Sequence, residues 1–317
     1  MTKLLLSVLG TVSRHGRAGL AVGLIAGLML PGVAAAMKPL LPLLVLALLF
    51  LVALRIGPQR ARHGLANLPT TLTLVLILQL GLPLLVVALA HVFGVAASPY
   101  ILAAVLVFAA PSVSGSPNFA IILGADPEPA FRLLIVGIAL LPLTMLPILW
   151  LLPQFEDVTA VLYPALRALV AITCAMGLGF LVRAKLLANP SPEQSNAMDG
   201  AMTVALSIIV VGLMAALRPA LADSVVMVAG WLALAFAVNT GLQVICYFAT
   251  RNRLHPDECV PVSIVAGNRN FAIFLVALTP ATAEPLLIFL GCYQVPMYLT
   301  PLLMDRLYRR LKVTRKV

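Results

Sequence analysis

Long apolar runs separated by short polar or charged joints make up most of this chain. A helix needs about 17–25 mostly apolar residues to cross a bilayer's hydrocarbon core. Ten stretches meet that need: about 18–35, 39–55, 70–93, 98–123, 130–152, 158–182, 199–217, 222–249, 258–279 and 284–304. The pattern predicts an all-α membrane protein of ten transmembrane helices. Two of these stretches are interrupted in nearly the same way. Residues 115–123 read GSPNFAIIL and residues 267–275 read GNRNFAIFL, 152 residues apart. Six of the nine positions are identical: Gly115/Gly267, Asn118/Asn270, Phe119/Phe271, Ala120/Ala272, Ile121/Ile273 and Leu123/Leu275. Ten spans divide into five plus five, and the fourth span of each half then carries the matching segment. An odd number per half sets the halves in opposite orientations. The expected architecture is therefore five-plus-five inverted repeats with broken, crossing helices four and nine, as in carriers whose binding sites lie at paired interrupted helices.

Composition supports the membrane reading. Hydrophobic residues make up 62% of the chain and charged residues 10%, too few charges to coat a soluble domain of this size. The net charge is +10, and its distribution is more informative than its total. With the N-terminus inside, Lys3, Arg14, Arg17, Arg55, Arg60, Arg62, Arg132, Arg183, Lys185, Arg251, Arg253, Arg306, Arg309, Arg310, Lys312, Arg315 and Lys316 fall at or near the cytoplasmic side. Only Lys38 and Arg218 fall at outer loops. This bias predicts a multi-pass protein of the inner (plasma) membrane with both termini cytoplasmic. A nucleic-acid partner is not expected, because the basic residues sit at span ends without interleaved aromatics. Arg14, Arg17 and the apolar run to Ala36 imitate a secretory signal; the nine spans that follow favour an uncleaved first span. Residues 3–13 read as a short interfacial helix. Cys174, Cys246, Cys259 and Cys292 form no CxxC pair, and His15, His63, His91 and His255 show no ligand spacing. No disulfide, metal or other cofactor is expected.

The interruptions carry the candidate chemistry. Span four holds Pro111-Ser112-Val113-Ser114-Gly115-Ser116-Pro117-Asn118, and span nine holds Gly267-Asn268-Arg269-Asn270. Proline and glycine remove or weaken helix hydrogen bonds. Backbone freed at membrane depth must be buried in protein or line a watery cavity. Arg269 is the sharpest single residue, since an Arg at mid-span costs about 2.5–3.5 kcal/mol on insertion scales. All acids fall at ends or loops. Helix carbonyls, Asn and Ser side chains, or an anionic ligand remain as its partners. A structural tie between broken-helix carbonyls and a contact to an anionic substrate both satisfy the residue. The candidate substrate-binding residues are Ser112, Ser114, Ser116, Asn118, Asn268, Arg269, Asn270 and Gln79. Gln79 lies mid-span in LILQLGLPLL and suits either a helix–helix hydrogen bond or the crossing region. Asn239, Thr240 and Gln243 of span eight could line the same core. Asn118 and Asn270, equivalent in the repeat, are expected close together. No catalytic residues are expected: the serines of span four have no His, Asp or Lys partner at membrane depth.

These features resemble the bile acid:sodium symporter family, of the same superfamily as arsenite and auxin-type carriers. The resemblance covers nearly the whole chain. The family's span-four motif, proline and small residues before Ser-Asn, is similar to Pro111–Asn118, here one residue longer because Pro117 intervenes. Its span-nine motif, Ser-Ile-Glu-Val-Gly-Met-Gln-Asn, is similar to Ser263-Ile264-Val265-Ala266-Gly267-Asn268-Arg269-Asn270, and its span-three glutamine matches Gln79. The resemblance implies a panel domain of spans 1, 2, 6 and 7, a core domain of spans 3, 4, 5, 8, 9 and 10, and substrate bound in the cleft between them. It also implies sodium sites, and there the chain departs. Val265 stands for the family's glutamate and Arg269 for its glutamine, and residues 130–136 lack the family's span-five hydroxyl. A guanidinium in that place repels a second cation at short range in low dielectric.

The expected function is a secondary active or facilitative transporter of small organic anions, working by alternating access without sodium. A sodium-coupled symporter is the family's ordinary form and would need other ligands. An arsenite-type carrier would want a thiolate at the span-four break, and no Cys lies between 100 and 130. A membrane sensor or scaffold would leave the broken helices without a use. The implied partners are an anionic small molecule and the lipid bilayer.

Overall fold

The computed structural model describes residues 2–14, 16–63, 67–153, 158–276, 278 and 280–308. His15, Glu156, Asp157, Arg309, Arg310, Lys312, Arg315 and Lys316 lie outside the described residues, as do the side chains of Lys3, Arg14, Arg17, Arg60, Arg62 and His63. Among the described residues the chain is helical with no strand, apart from one isolated bridge. In chain order the α-helices are α1 (Thr2–Arg14), α2 (Gly16–Met29), α3 (Pro31–Met37), α4 (Leu41–His63), α5 (Leu68–Leu76), α6 (Leu82–Val92), α7 (Pro99–Ala109), α8 (Ser116–Ile122) and α9 (Glu128–Trp150). They continue as α10 (Val158–Leu186), α11 (Pro192–Asp223), α12 (Val225–Phe236), α13 (Leu242–Thr250), α14 (Pro256–Gly267) and α15 (Pro280–Leu303). Wide π turns at Ile77–Gly81 and Ala237–Gly241 join α5 to α6 and α12 to α13.

Among the described residues, five helical runs are long and apolar enough to cross a bilayer: Pro31–Pro58, Leu68–Val92, Pro192–Asp223, Val225–Thr250 and Ala283–Tyr308. The bent α9 makes a sixth if its two parts count as one. The protein is an all-α, multi-pass membrane protein. One expected joint lies elsewhere. The joint expected at 36–38, between the first two spans, falls at Leu30, between α2 and α3 and just before Pro31. Proline is accepted in the first turn of a helix because its missing N–H has no helical partner there. The helix then runs through Lys38, which pairs with Glu284 at 2.5 Å instead of standing in an outer loop. Arg218 likewise belongs to the last turns of α11, where it is exposed.

The contacts divide the chain into two compact units. The first comprises residues 1–62, 164–225 and 272–291. Its helices pack through small residues, as membrane helices do where lipid offers no hydrophobic drive for association. A β-carbon at Gly27 would lie 2.7 Å from Met214, and one at Gly179 would meet Phe50 O at 2.5 Å. One at Gly200 would strike the backbone of Leu9, so α1 packs directly on α11. This close seat gives the short helix expected over residues 3–13 a packing partner. Arg55 of α4 forms a two-bond pair with Asp199 of α11 at 2.8 and 3.1 Å.

The second unit comprises residues 63–163, 226–271 and 292–317. It holds both interrupted segments and every candidate site residue. One apolar cluster joins Ala120 and Leu123 of α8 to Cys259, Val260 and Ile264 of α14, with Tyr247, Met304 and Tyr308 around them. A second tie is ionic: Arg132 on α9 reaches Glu258 on α14 at 2.8 Å and Glu128 one turn back at 3.3 Å.

Candidate functional site

The α7 helix stops at Ala109, and the chain is extended at Ala110. Pro111 has no N–H to continue the ladder, and Pro117 then opens α8 in its first turn. The α14 helix stops at Gly267, and Asn268 leaves the helical region. The two released segments pair with each other. Val113 N–H donates to Asn268 O at 2.9 Å, and Asn270 N–H donates to Pro111 O at 2.8 Å. These bonds form an antiparallel bridge centred on Ser112 and Arg269. The bridge satisfies backbone groups that the breaks would otherwise leave bare in an apolar interior.

Arg269 is 3% exposed, and among the described residues its guanidinium donates to backbone carbonyls. Nε donates to Ala266 O at 2.9 Å, and Nη1 donates to Ala110 O at 3.1 Å. Nη2 lies 3.5 Å from Leu78 O, the long limit of a hydrogen bond. Each acceptor is explained locally. Ala266 and Ala110 close α14 and α7, where carbonyls lack helical donors and the helix dipole is negative. Leu78 sits in the first π turn. There Leu82 N–H turns to Ile77 O, and the next residue is Pro83, which has no N–H to give Leu78 O. Arg269 thus gathers the acceptors left over by three separate interruptions. Its own N–H donates to Tyr293 Oη at 3.0 Å, and the Tyr293 hydroxyl donates to Gly267 O.

A second network closes the end of α14. Asn239, in the second π turn, donates to Gly267 O at 2.7 Å and to Asn268 Oδ1 at 3.2 Å. Asn268 Nδ2 folds back on Ile264 O at 2.9 Å. Gln243 donates to Asn239 Oδ1 at 3.0 Å, and Thr300 Oγ1 lies 3.0 Å from Asn268 Oδ1. Tyr308 donates to Gln243 Oε1 at 3.3 Å. A β-carbon at Gly267 would run into the Asn239 carbonyl, so the close approach of α14 to the π turn requires glycine there.

The sequence-derived candidates divide by environment. Ser112 and Ser116 are buried and bonded to each other, Oγ to Oγ at 2.8 Å. Ser114 and Asn270 are half-buried, and Asn118 is exposed on α8. Asn268 and Arg269 are buried in the networks above. Gln79 is buried and donates to Gly137 O and Thr144 Oγ1, both at 3.0 Å, which ties the first π turn to α9. Val265 is buried in α14. The guanidinium takes backbone carbonyls, with no serine hydroxyl of span four among its partners. Thr240 is separate from its neighbours Asn239 and Gln243: its hydroxyl is buried without a hydrogen-bond partner.

Sequence reasoning missed Thr144, Thr300 and Tyr293. A signal for the threonines was present. Glu128-Pro129 and Glu284-Pro285 stand 156 residues apart, and so do Thr144 and Thr300. Each threonine meets the middle residue of a π turn, Gln79 in one case and Asn239 at 3.4 Å in the other. The turns, ILQLG and AVNTG, share only their glycine. Tyr293 had no such signal, being one aromatic residue in an apolar helix. The site is thus a set of freed helix carbonyls organised by one fixed cation and several amides, within an all-α membrane protein. No protein-family model matches the chain, and no curated protein matches it significantly.

Proposed function

We propose that this chain is a sodium-independent membrane carrier of small organic anions, working by alternating access. The observation that carries the proposal is Arg269: a buried guanidinium at the meeting of two helix breaks, held by carbonyls of three interruptions. Rings of such carbonyls are what a hard monovalent cation would otherwise occupy. In this reading the tethered cation replaces the coupling ion of the bile acid:sodium symporters that the chain resembles. It also leaves positive potential near the crossing for a carboxylate or similar group.

Five-plus-five inverted repeats belong to the same proposal. The bridge between Ser112 and Arg269 is symmetric: its two bonds exchange under a two-fold axis that maps Pro111, Ser112 and Val113 onto Asn268, Arg269 and Asn270. The helices entering it both begin with proline, at Pro99 and Pro256, 157 residues apart like Ser112 and Arg269. The matched π turns and matched threonines support the same axis. In this proposal the panel of spans 1, 2, 6 and 7 would correspond mainly to the first compact unit and the core mainly to the second, though residues 272–291 go with the first.

The test is a thermal-shift screen of the purified protein against small carboxylates and sulfonates, in sodium and in choline buffers of equal ionic strength. The expected result is stabilisation by one anion class, equal in both buffers, followed by uptake of that anion into proteoliposomes without sodium. A sodium-specific stabilisation saturating in the millimolar range would return the chain to the sodium-coupled class. Arg269→Gln with Val265→Glu should introduce sodium dependence. An anion that binds without flux would favour a sensor.

A further inference from the structure

We infer that the first unit carries a binding site for the phosphate headgroup of an anionic lipid, built at the break of α4. That helix loses its regular backbone at Gly57, whose φ of 73° lies in the left-handed region. Pro58 follows and cannot donate to Leu54 O. A β-carbon at Gly57 would lie 2.8 Å from Arg183 Nε, so the bare glycine lets the arginine lie against the break. A cavity of about 410 Å³ opens beside it, lined by Arg55, Gly57, Pro58, Arg183, Asn189 and Ser195, among others. That volume suits a glycerophosphate headgroup. Arg55 gives Nε and Nη2 to Asp199, leaving its Nη1 edge out of that pair. Two guanidiniums, an amide and a hydroxyl therefore line the cavity, with no acid among the described lining residues.

An apolar track makes a lipid the favoured source of the phosphate. Leu178, Leu181 and Leu186 of α10 are 57%, 55% and 75% exposed. Arg183 lies between them, so one helix presents acyl-chain contacts and the headgroup charge together. The positive-inside pattern sets this end at the cytoplasmic leaflet, where basic pockets between helices take anionic headgroups. The site does not depend on the transport reading.

The experiment measures the melting temperature and native mass spectrum of the full-length protein in micelles titrated with phosphatidylglycerol or phosphatidylcholine. Further arms contain soluble glycerol 3-phosphate and inorganic phosphate. The expected result is saturable stabilisation by phosphatidylglycerol alone, with retained adducts. Arg183→Gln should weaken it roughly fivefold, and Arg183→Lys should retain most of it. Lys185→Gln, one exposed charge that does not line the cavity, should leave it unchanged. Equal effects of the two lipids would overturn the proposal. So would equal losses in Arg183→Gln and Lys185→Gln, which would mean unspecific attraction. Equal stabilisation by soluble glycerol 3-phosphate would overturn the lipid assignment. If Arg183→Gln fails to fold, Leu178→Ser with Leu181→Ser must still weaken the lipid response; an unchanged response would reject the lipid.

Discussion

The two breaks of the second unit do the same thing by different means. The first is written into its own residues. Pro111 and Pro117 remove donors, and Ser112 and Ser116 bond each other across one turn. The second contains no proline from 262 to 279. Part of its support comes from outside: Asn239 and Tyr293 take the carbonyl of Gly267, while the break's own Arg269 takes that of Ala266. One break is therefore written mainly in its own segment, while the other also draws on distant helices for its partners. The difference matters for function. A break held by distant side chains joins the Ser112–Arg269 bridge to α15 and to the π turn at Ala237–Gly241, so changes at one place are felt at the others.

The largest expected effect tests the residue that serves both breaks. Arg269→Ala leaves acceptors on Ala266, Ala110 and Leu78 without a donor in an apolar interior. A loss of about 3 kcal/mol or more is expected, read as a lowered melting temperature and partly restored by free guanidinium in the buffer. A variant as stable as the parent would remove Arg269 from the centre of the site.

The matched glycines sharpen the comparison next. Gly267→Ala places a methyl group on the Asn239 carbonyl and within 2.5 Å of Gln243 Cγ. It should cost about 1–3 kcal/mol. At Gly115 the same methyl would meet only Phe119 Cζ at 3.8 Å, with the backbone in the ordinary helical region. Gly115→Ala should stay within about 0.5 kcal/mol. Equal effects in denaturant titrations would mean that the two breaks are held alike.

Smaller effects probe the outside support. A double-mutant cycle of Asn239→Ala and Thr300→Val should show coupling of about 0.6–1.7 kcal/mol, the range of buried hydrogen bonds between membrane helices. Strict additivity would break the network proposed across α15. A modest effect is expected at the local break: Ser112→Ala loses one hydroxyl bond, worth about 1 kcal/mol, because proline keeps the helix interrupted without it. A collapse of folding in that variant would show that the serine pair, not proline, sets the break.

Residue type and apolar pattern dictate the material and the weak points. Apolar runs of membrane length require helices, since each must satisfy its own backbone in lipid. Pro111 and Pro117 announce the first interruption because a missing N–H is a property of the residue. Arg269 stands out because a charge at mid-span needs partners wherever it lies. Only the tertiary structure decided who those partners are. The repeat visible in the sequence, 152 residues apart, starts past the bridge residue in the first break, at Gly115, and before it in the second, at Gly267, whereas the bridge pairs Ser112 with Arg269, 157 apart. The chain between bridge and matched motif is longer in the first break by five residues, and sequence identity cannot register a pairing made by backbone groups. The π turns were hidden for the same reason. Gln79 and Asn239 differ in type, Gly81 and Gly241 are ordinary in apolar helices, and the widened turns were found only where carbonyls, amides and one guanidinium met in space.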